Sequence, residues 1–164
     1  EVIVNPLLLQ RNTILELEYN LMLFRLGGSR SSSKIQKSHI KDIDKNSVKQ
    51  KSFKEMIQLA VEMKESLLKG NVKHFADLLH ESWDIKKRMN NGVTNEFVED
   101  CYNTAKELGA LGGKLLGAGG SGYLLIYASP LYQKKIKSTL AKKGAIQEMF
   151  KFNQNGLEVW STKR

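Results

Sequence analysis

The 164-residue sequence has one cysteine, two prolines and no long apolar run. The lone Cys101 excludes an intramolecular disulfide and any zinc site built from several thiolates, which agrees with a reducing compartment. It shares a helical face with Phe97, Ala105 and Leu108, so a core position is expected. No apolar stretch approaches the roughly 18 residues of a membrane span. The opening EVIVNPLLLQ lacks the basic start and small-residue cleavage site of a signal peptide. A cytoplasmic location is the expectation, with no membrane association. His39 and His74 are isolated on polar stretches. There is no H-E-x-x-H and no close set of acidic residues, so no protein-built metal site is expected. Repeats, low-complexity tracts and linkers are also missing, which leaves a single domain.

A hydrophobic content of 41% with 26% charged residues suits a globular chain with a proper core. The net charge of +9 favours anionic partners, whether nucleic acid, a membrane surface or phosphorylated small molecules. It does not choose among them. Much of the excess lies in Lys34 to Lys54 and Lys134 to Lys143, where the lysines read as solvated helix faces.

Along the chain, EVIVNP reads as an apolar strand ending at a proline turn. RNTILELEYN follows as a helix. Leu21 to Leu26 form a short strand, with Leu21, Leu23 and Arg25 alternating with Met22, Phe24 and Leu26 before Gly27 and Gly28. Ser31 to Ser33 offer N-caps to a basic helix running to about Asn46. Ser47 opens a longer helix whose Phe53, Met56, Ala60, Met63 and Leu67 recur at helical spacing until Gly70. Asn71 caps another, with Phe75, Leu78, Leu79, Ser82 and Met89 as its buried stripe and Gly92 as its end. Asn95 begins a helix that finishes at Gly109. The period then changes to 2. Lys114 to Gly117 and Tyr123 to Ala128 are expected strands, Pro130 opens a helix to about Lys143, and Ile146 to Phe152 and Leu157 to Ser161 are expected to pair through Asn155-Gly156. The result is an α+β domain with a small antiparallel sheet covered by helices.

Seven of the thirteen glycines fall in GALGGKLLGAGGSGYLLIY, residues 109 to 127. Clustered glycine means either a flexible linker or a loop shaped around an anion. Leu115, Leu116, Leu124 and Leu125 anchor both ends in a core and exclude the linker. Gly117, Gly119 and Gly122 fit G-x-G-x-x-G, but a strand follows where the dinucleotide fingerprint needs a helix. No Lys-Ser or Lys-Thr follows the glycines, so a P-loop fails. The loop also resembles the phosphate-covering hairpin of protein kinases, yet V-A-I-K, H-R-D and D-F-G are missing. An RNA-recognition strand would place Gly119 where a basic residue belongs, Ser121 where a stacking ring belongs and Ile126 at the last aromatic position.

GGKLLGAGGSGYLLIY is similar to the third conserved motif of the GHMP small-molecule kinases. NPLLLQRNTILELEYNLMLFRLGGSRSSSKI, LLHESWDIKKRM and ELGALGGKLLGAGGSGYLLIY most resemble the D-glycero-D-manno-heptose 7-phosphate kinases within that superfamily. The similarity runs from about residue 5 to the end, departing at Ser121, where glycine is usual, and at Tyr123, where phenylalanine is usual. The resemblance implies the family's C-terminal domain over residues 1 to 164, a ferredoxin-like antiparallel sheet with added helices. It implies an ATP-dependent kinase acting on the anomeric hydroxyl of the sugar phosphate, with Mg2+ arriving on the nucleotide. The family's P-x-G-L-x-S-S phosphate loop is absent from this sequence. The chain is therefore expected to be part of a longer kinase, partnered by an N-terminal domain that carries most of the ATP pocket and the catalytic aspartate. Alone it is expected to be inactive.

The resemblance assigns Gly117, Gly119, Gly120, Ser121 and Gly122 to the wall of the active site, where backbone amides bind an anion or brace the partner phosphate loop. His80, Trp83 and Lys87 stand at i, i+3 and i+7, with Lys86 and Arg88 beside them, so an aromatic face and several cations are expected to meet a sugar phosphate. Spacing alone leaves a packed Trp83 among solvated lysines as the alternative. Arg30, Ser31 and Lys34, at an expected helix start, form a second anion-site candidate. Other readings stay open: a GHMP kinase for a different sugar, galactokinase-like, or a non-catalytic basic ferredoxin-like module binding RNA. Nucleic acid is the less expected partner.

Overall fold

The computed structural model describes residues 4–27, 47–89, 92–117, 120–153, 156 and 159–160. Helix α1 (Arg11–Asn20) leads into strand β1 (Leu21–Leu26), followed by α2 (Ser47–Leu68), α3 (Val72–Met89) and α4 (Glu96–Glu107). Strands β2 (Gly112–Leu115) and β3 (Gly122–Tyr127) flank the glycine loop, and α5 (Pro130–Lys142) returns the chain to β4 (Ile146–Glu148). The four strands lie in the order β2-β3-β1-β4, and every neighbouring pair is antiparallel. This is the split βαβ order of a ferredoxin-like sheet, with extra helices in the first crossover.

Strand β1 sits between β3 and β4, and its alternation buries Met22, Phe24 and Leu26 on one face while Leu23 is half-buried and Arg25 exposed on the other. Met22, Phe24 and Leu26 turn into the main core, where they join Leu115 of β2, Leu124 and Ile126 of β3, Val98, Cys101, Tyr102 and Ala105 of α4, and Ile136 and Leu140 of α5. Cys101 is fully buried there, with Phe97 and Leu108 packed partly against the same core. Leu21 belongs to the opposite face, with Leu17 of α1, Val72 and Ala76 of α3, and Tyr127.

The helix boundaries follow the expected punctuation. Asn71 accepts at Oδ1 from the His74 amide, and Gly70 and Gly109 take positive φ of 70° and 103° at helix ends. The stripe of α2 is as expected in part, with Met56 and Met63 packed against Leu59, Leu78 and Ile85 and Leu67 against the Val72 cluster, but its most buried positions differ. Ser52, Leu59 and Ser66 are buried while Phe53 is 45% exposed and Ala60 is exposed. Helix α2 packs chiefly on α3, and small serines allow that close seam, with Ser66 Oγ donating to Asn71 O at 2.7 Å. In α3 the expected Leu78, Leu79 and Ser82 are buried, but so are Val72, Ala76, Trp83 and Ile85, because this helix touches α2 on one side and the sheet on the other.

Three strand expectations are corrected. Residues 4–10 carry no regular structure and Val4 is 83% exposed, so the described part of EVIVNP is not a strand, and residues 1–3 lie outside the described residues. Strand β2 begins two residues earlier than expected, at Gly112. At the other end β4 stops at Glu148, residues 149–153 have no regular structure, and Val159 and Trp160 are 85% and 80% exposed without strand pairing. The expected terminal hairpin is therefore not present among the described residues, and Asn155 of its turn lies outside them. The expected basic helix before Asn46 also lies outside the described residues.

Candidate functional site

The glycine run divides into a packing half and a turning half. A Cβ on Gly112 would stand 1.9 Å from Ala76 O, and one on Gly113 would stand 2.4 Å from Leu125 O. These two glycines let the edge strand β2 lie directly against α3 and β3. Beyond β2, the Leu116 amide donates to Tyr123 O at 2.8 Å and closes the hairpin. Gly117, Gly120 and Gly122 take positive φ of 77°, 77° and 119°, whereas Ser121 does not take positive φ. A side chain at 121 therefore costs the loop no backbone strain. Ala118 and Gly119 lie outside the described residues.

Two anchors hold the turn. Asn95, the N-cap of α4, accepts from the Val98 amide at 2.9 Å and donates from Nδ2 to Gly120 O at 2.5 Å. The Gly120 amide donates to Val93 O at 2.8 Å, so it is already committed within the chain. Of the described loop residues, Gly117, Ser121 and Gly122 remain the candidates for an anion. On the other side, Lys86 Nζ donates to Gly117 O at 2.6 Å and reaches Leu115 O at 3.4 Å. Lys114 Nζ donates to Ser82 Oγ at 3.1 Å, one helical turn before Lys86 on α3. Burial, then the neighbouring Lys114 charge, pushes the Lys86 ammonium below the usual lysine range, and burial does the same to Lys114.

The expected cluster on α3 converges only in part: Lys86 and Lys87 Nζ lie 5.9 and 5.7 Å from the Trp83 ring centroid, while Arg88 turns elsewhere. Trp83 is fully buried in the main core, its ring 6.4 Å from that of Tyr102, so its face is not open to a sugar. Lys87 is held by Asp84 at 3.1 Å and Glu99 at 3.4 Å, over the Trp83 ring. Arg88 pairs with Glu55 of α2 at 3.3 Å. Consecutive helical residues project about 100° apart, so Lys86, Lys87 and Arg88 are sent respectively to the glycine loop, to α4 and to α2. His80 meets Tyr102 OH at Nδ1, 2.6 Å, and faces Asp84 at Nε2, 3.6 Å. Arg30, Ser31 and Lys34 lie outside the described residues.

Sequence reasoning placed Asn95 as a cap but missed its grip on Gly120, and it missed Lys114 altogether. A signal for Lys114 exists: it has the parity of Gly112 on β2, and therefore the same side toward α3. Tyr127 is turned into the apolar cluster with Leu17 and Ala76, and Tyr123 is 40% exposed. Among the described residues no group of three or more histidine, cysteine, aspartate or glutamate side chains could hold a metal ion, and no helix is long and apolar enough to cross a membrane.

Comparison with known proteins gives this arrangement its family. The chain is 29% identical over 159 residues to D-glycero-alpha-D-manno-heptose 7-phosphate kinase of Campylobacter jejuni, covering 97% of the chain and 47% of that enzyme. It is 29% identical over 133 residues to the bifunctional fucokinase/GDP-fucose pyrophosphorylase of Arabidopsis thaliana, covering 80% of the chain and 12% of that protein. It thus spans about half the length, or less, of the curated relatives it matches. Its fold superposes with a TM-score of 0.58 on a D-glycero-D-manno-heptose 1-phosphate kinase of Bacteroides thetaiotaomicron, at 24% identity, over 97% of the chain and 42% of that structure. The family model described as GHMP kinases C terminal matches residues 63–146, from α2 through the glycine loop to the start of β4. The chain belongs to the GHMP kinase family, of which it carries the C-terminal domain.

Proposed function

We propose that the chain is the C-terminal half of an ATP-dependent kinase that phosphorylates the anomeric hydroxyl of D-glycero-D-manno-heptose 7-phosphate. The observation that carries this reading is the near end-to-end match to the Campylobacter jejuni heptose 7-phosphate kinase. The geometry supports it by presenting a hairpin turn of positive-φ glycines on a rigid sheet, anchored by Asn95 and Lys86. Phosphoryl transfer depends on positioning and charge stabilisation, and such a turn lets backbone amides approach a phosphate or brace a second phosphate loop. In this reading Gly117, Ser121 and Gly122 face the transferred group. ATP, its Mg2+ ion and the catalytic base are held mainly by an N-terminal domain outside these 164 residues.

The test is ADP release by the full-length protein containing this chain, with heptose 7-phosphate, L-fucose, galactose and mevalonate offered separately. Turnover of heptose 7-phosphate alone is expected. The match to the Arabidopsis fucokinase supports a second reading, L-fucose as acceptor, and turnover restricted to fucose would select it. Failure with every acceptor, in a folded protein that includes the upstream domain, rejects the kinase reading. The 164-residue chain alone is expected to release no ADP.

A further inference from the structure

We propose that Lys114 and Lys86 together form an anion subsite at the base of the Gly117 turn, one that takes a phosphoryl group. The proposal rests on the loop facing a phosphorylated ligand, and not on which sugar is turned over. Its first support is the distribution of charge. Lys87 has Asp84 and Glu99, Lys143 has Asp100, Arg25 has Glu148 and Arg88 has Glu55. Lys86 and Lys114 instead end on neutral oxygens, those of Leu115, Gly117 and Ser82, and neither forms an ion pair among the described residues.

The second support is proximity. Ser82 and Lys86 are one turn apart on α3, and Lys114 Nζ bonds to Ser82, so two half-buried ammonium groups share one end of the α3–β2 seam. Two like charges withdrawn from water without a counter-ion are unfavourable to each other. Both ammonium groups are accordingly held below the usual lysine range. A bound phosphoryl dianion reverses that penalty, since it neutralises both groups at once. Donors are available, because an ammonium has three N–H groups. Lys86 uses two of them on carbonyls and also lies 5.9 Å from the Trp83 ring centroid, whereas Lys114 uses one on a hydroxyl and has two left to offer, so Lys114 is the main donor and Lys86 adds its charge. The site also adjoins the Gly117 turn, because Lys86 is bonded to its carbonyl. Either a nucleotide phosphate or the phosphomonoester of a sugar phosphate presents the matching chemistry.

Calorimetric titration of the 164-residue chain with inorganic pyrophosphate tests the subsite without requiring turnover. Saturable binding is expected, weakened at least tenfold by Lys114→Met and retained by Lys114→Arg. Lys134→Met, which removes an exposed charge on α5, is expected to leave binding unchanged. Circular dichroism and thermal melting establish that each variant is folded. Should Lys114→Met destroy the fold, Lys114→Gln and Lys86→Met carry the same expectation. Unchanged affinity in the folded lysine variants overturns the proposal, as does an equal loss with Lys134→Met or the lack of saturable binding by the parent chain. Parallel titrations with ADP and with glucose 6-phosphate identify the source: the ligand whose binding falls with Lys114→Met is the one the pair holds. Pyrophosphate binding that depends on Lys114, in a protein without kinase turnover, would retain the subsite while rejecting the proposed reaction.

Discussion

Asn95 Nδ2 donates to Gly120 O at 2.5 Å while Asn95 Oδ1 accepts from the Val98 amide at 2.9 Å, so one side chain begins α4 and holds the glycine turn against it. The amide supplies both an acceptor and a donor, which neither serine nor aspartate can do with the same geometry. Asn95→Ala is expected to cost about 1–2 kcal/mol, the usual loss of a cap with an added partner left behind. Asn95→Asp separates the two roles: it keeps the cap and removes the donor to Gly120. It is expected to preserve most of the stability in urea unfolding while speeding hydrogen exchange at Gly120 and Ser121. Equal protection in parent and Asn95→Asp would show that the contact does not order the turn.

Gly112 and Gly117 are expected to differ in how much enlargement costs. A Cβ at Gly112 collides with Ala76 O, a backbone atom that cannot move away cheaply, so Gly112→Ala is expected to cost about 3 kcal/mol or more. Gly117 meets nothing within 4 Å and has only its φ of 77° to defend. Gly117→Ala is therefore expected to cost about 1 kcal/mol, and Gly117→Asn less, because asparagine tolerates that region. Denaturant midpoints for the three variants check the order.

Trp83 is a core residue rather than a sugar platform, and its truncation should register as stability. Trp83→Ala is expected to cost about 3–5 kcal/mol. Trp83→Phe should cost about 1–2 kcal/mol, since it leaves a smaller void and removes an indole N–H that has no acceptor among the described residues. A Trp83→Ala protein as stable as the parent would mean that the ring is not packed.

Alkaline stability is expected to depend on Tyr102. Burial, then the Asp84 and Glu99 carboxylates, pushes its phenol well above the ordinary tyrosine value. Below about pH 10 both folded and unfolded chains keep this proton, and the contribution is fully present. Above that pH the unfolded chain releases a proton that the folded chain retains, so stability falls, by at most about 1.4 kcal/mol per pH unit from this group. Tyr102→Phe should lose about 1 kcal/mol at neutral pH with its His80 partner, yet show a flatter decline above pH 10. Parallel declines for the two proteins would contradict the assignment. Tyr127 and the two half-buried lysines are common to both, so their contributions cancel in the comparison.

Much of the fold is legible locally because local rules govern it. The alternation of Leu21 to Leu26, the caps at Asn71 and Asn95 and the glycines at 70 and 109 each act within one or two turns of chain. The change from a helical to a strand period around the glycine run was likewise visible, which is why the strand after it excluded a dinucleotide loop. The expected strand from Ile146 to Phe152 is cut short because a strand extends only where it has a sheet partner, and among the described residues β4 pairs with β1 through Glu148 and ends there.

The sequence by itself determined the order of elements from α1 to β4, the helix ends and the glycine loop, since spacing and backbone freedom are properties of neighbouring residues. Only the tertiary structure decided what each side chain meets. Trp83 turns inward, Lys87 and Arg88 go to carboxylates on different helices, and Lys86 and Lys114 end on neutral oxygens of Gly117 and Ser82. Those outcomes depend on how α3 crosses the edge of the sheet, where Gly112 and Gly113 allow close contact between backbones distant in sequence. Helical spacing states which residues share a face; the element packed against that face determines whether it becomes core, ion pair or binding surface.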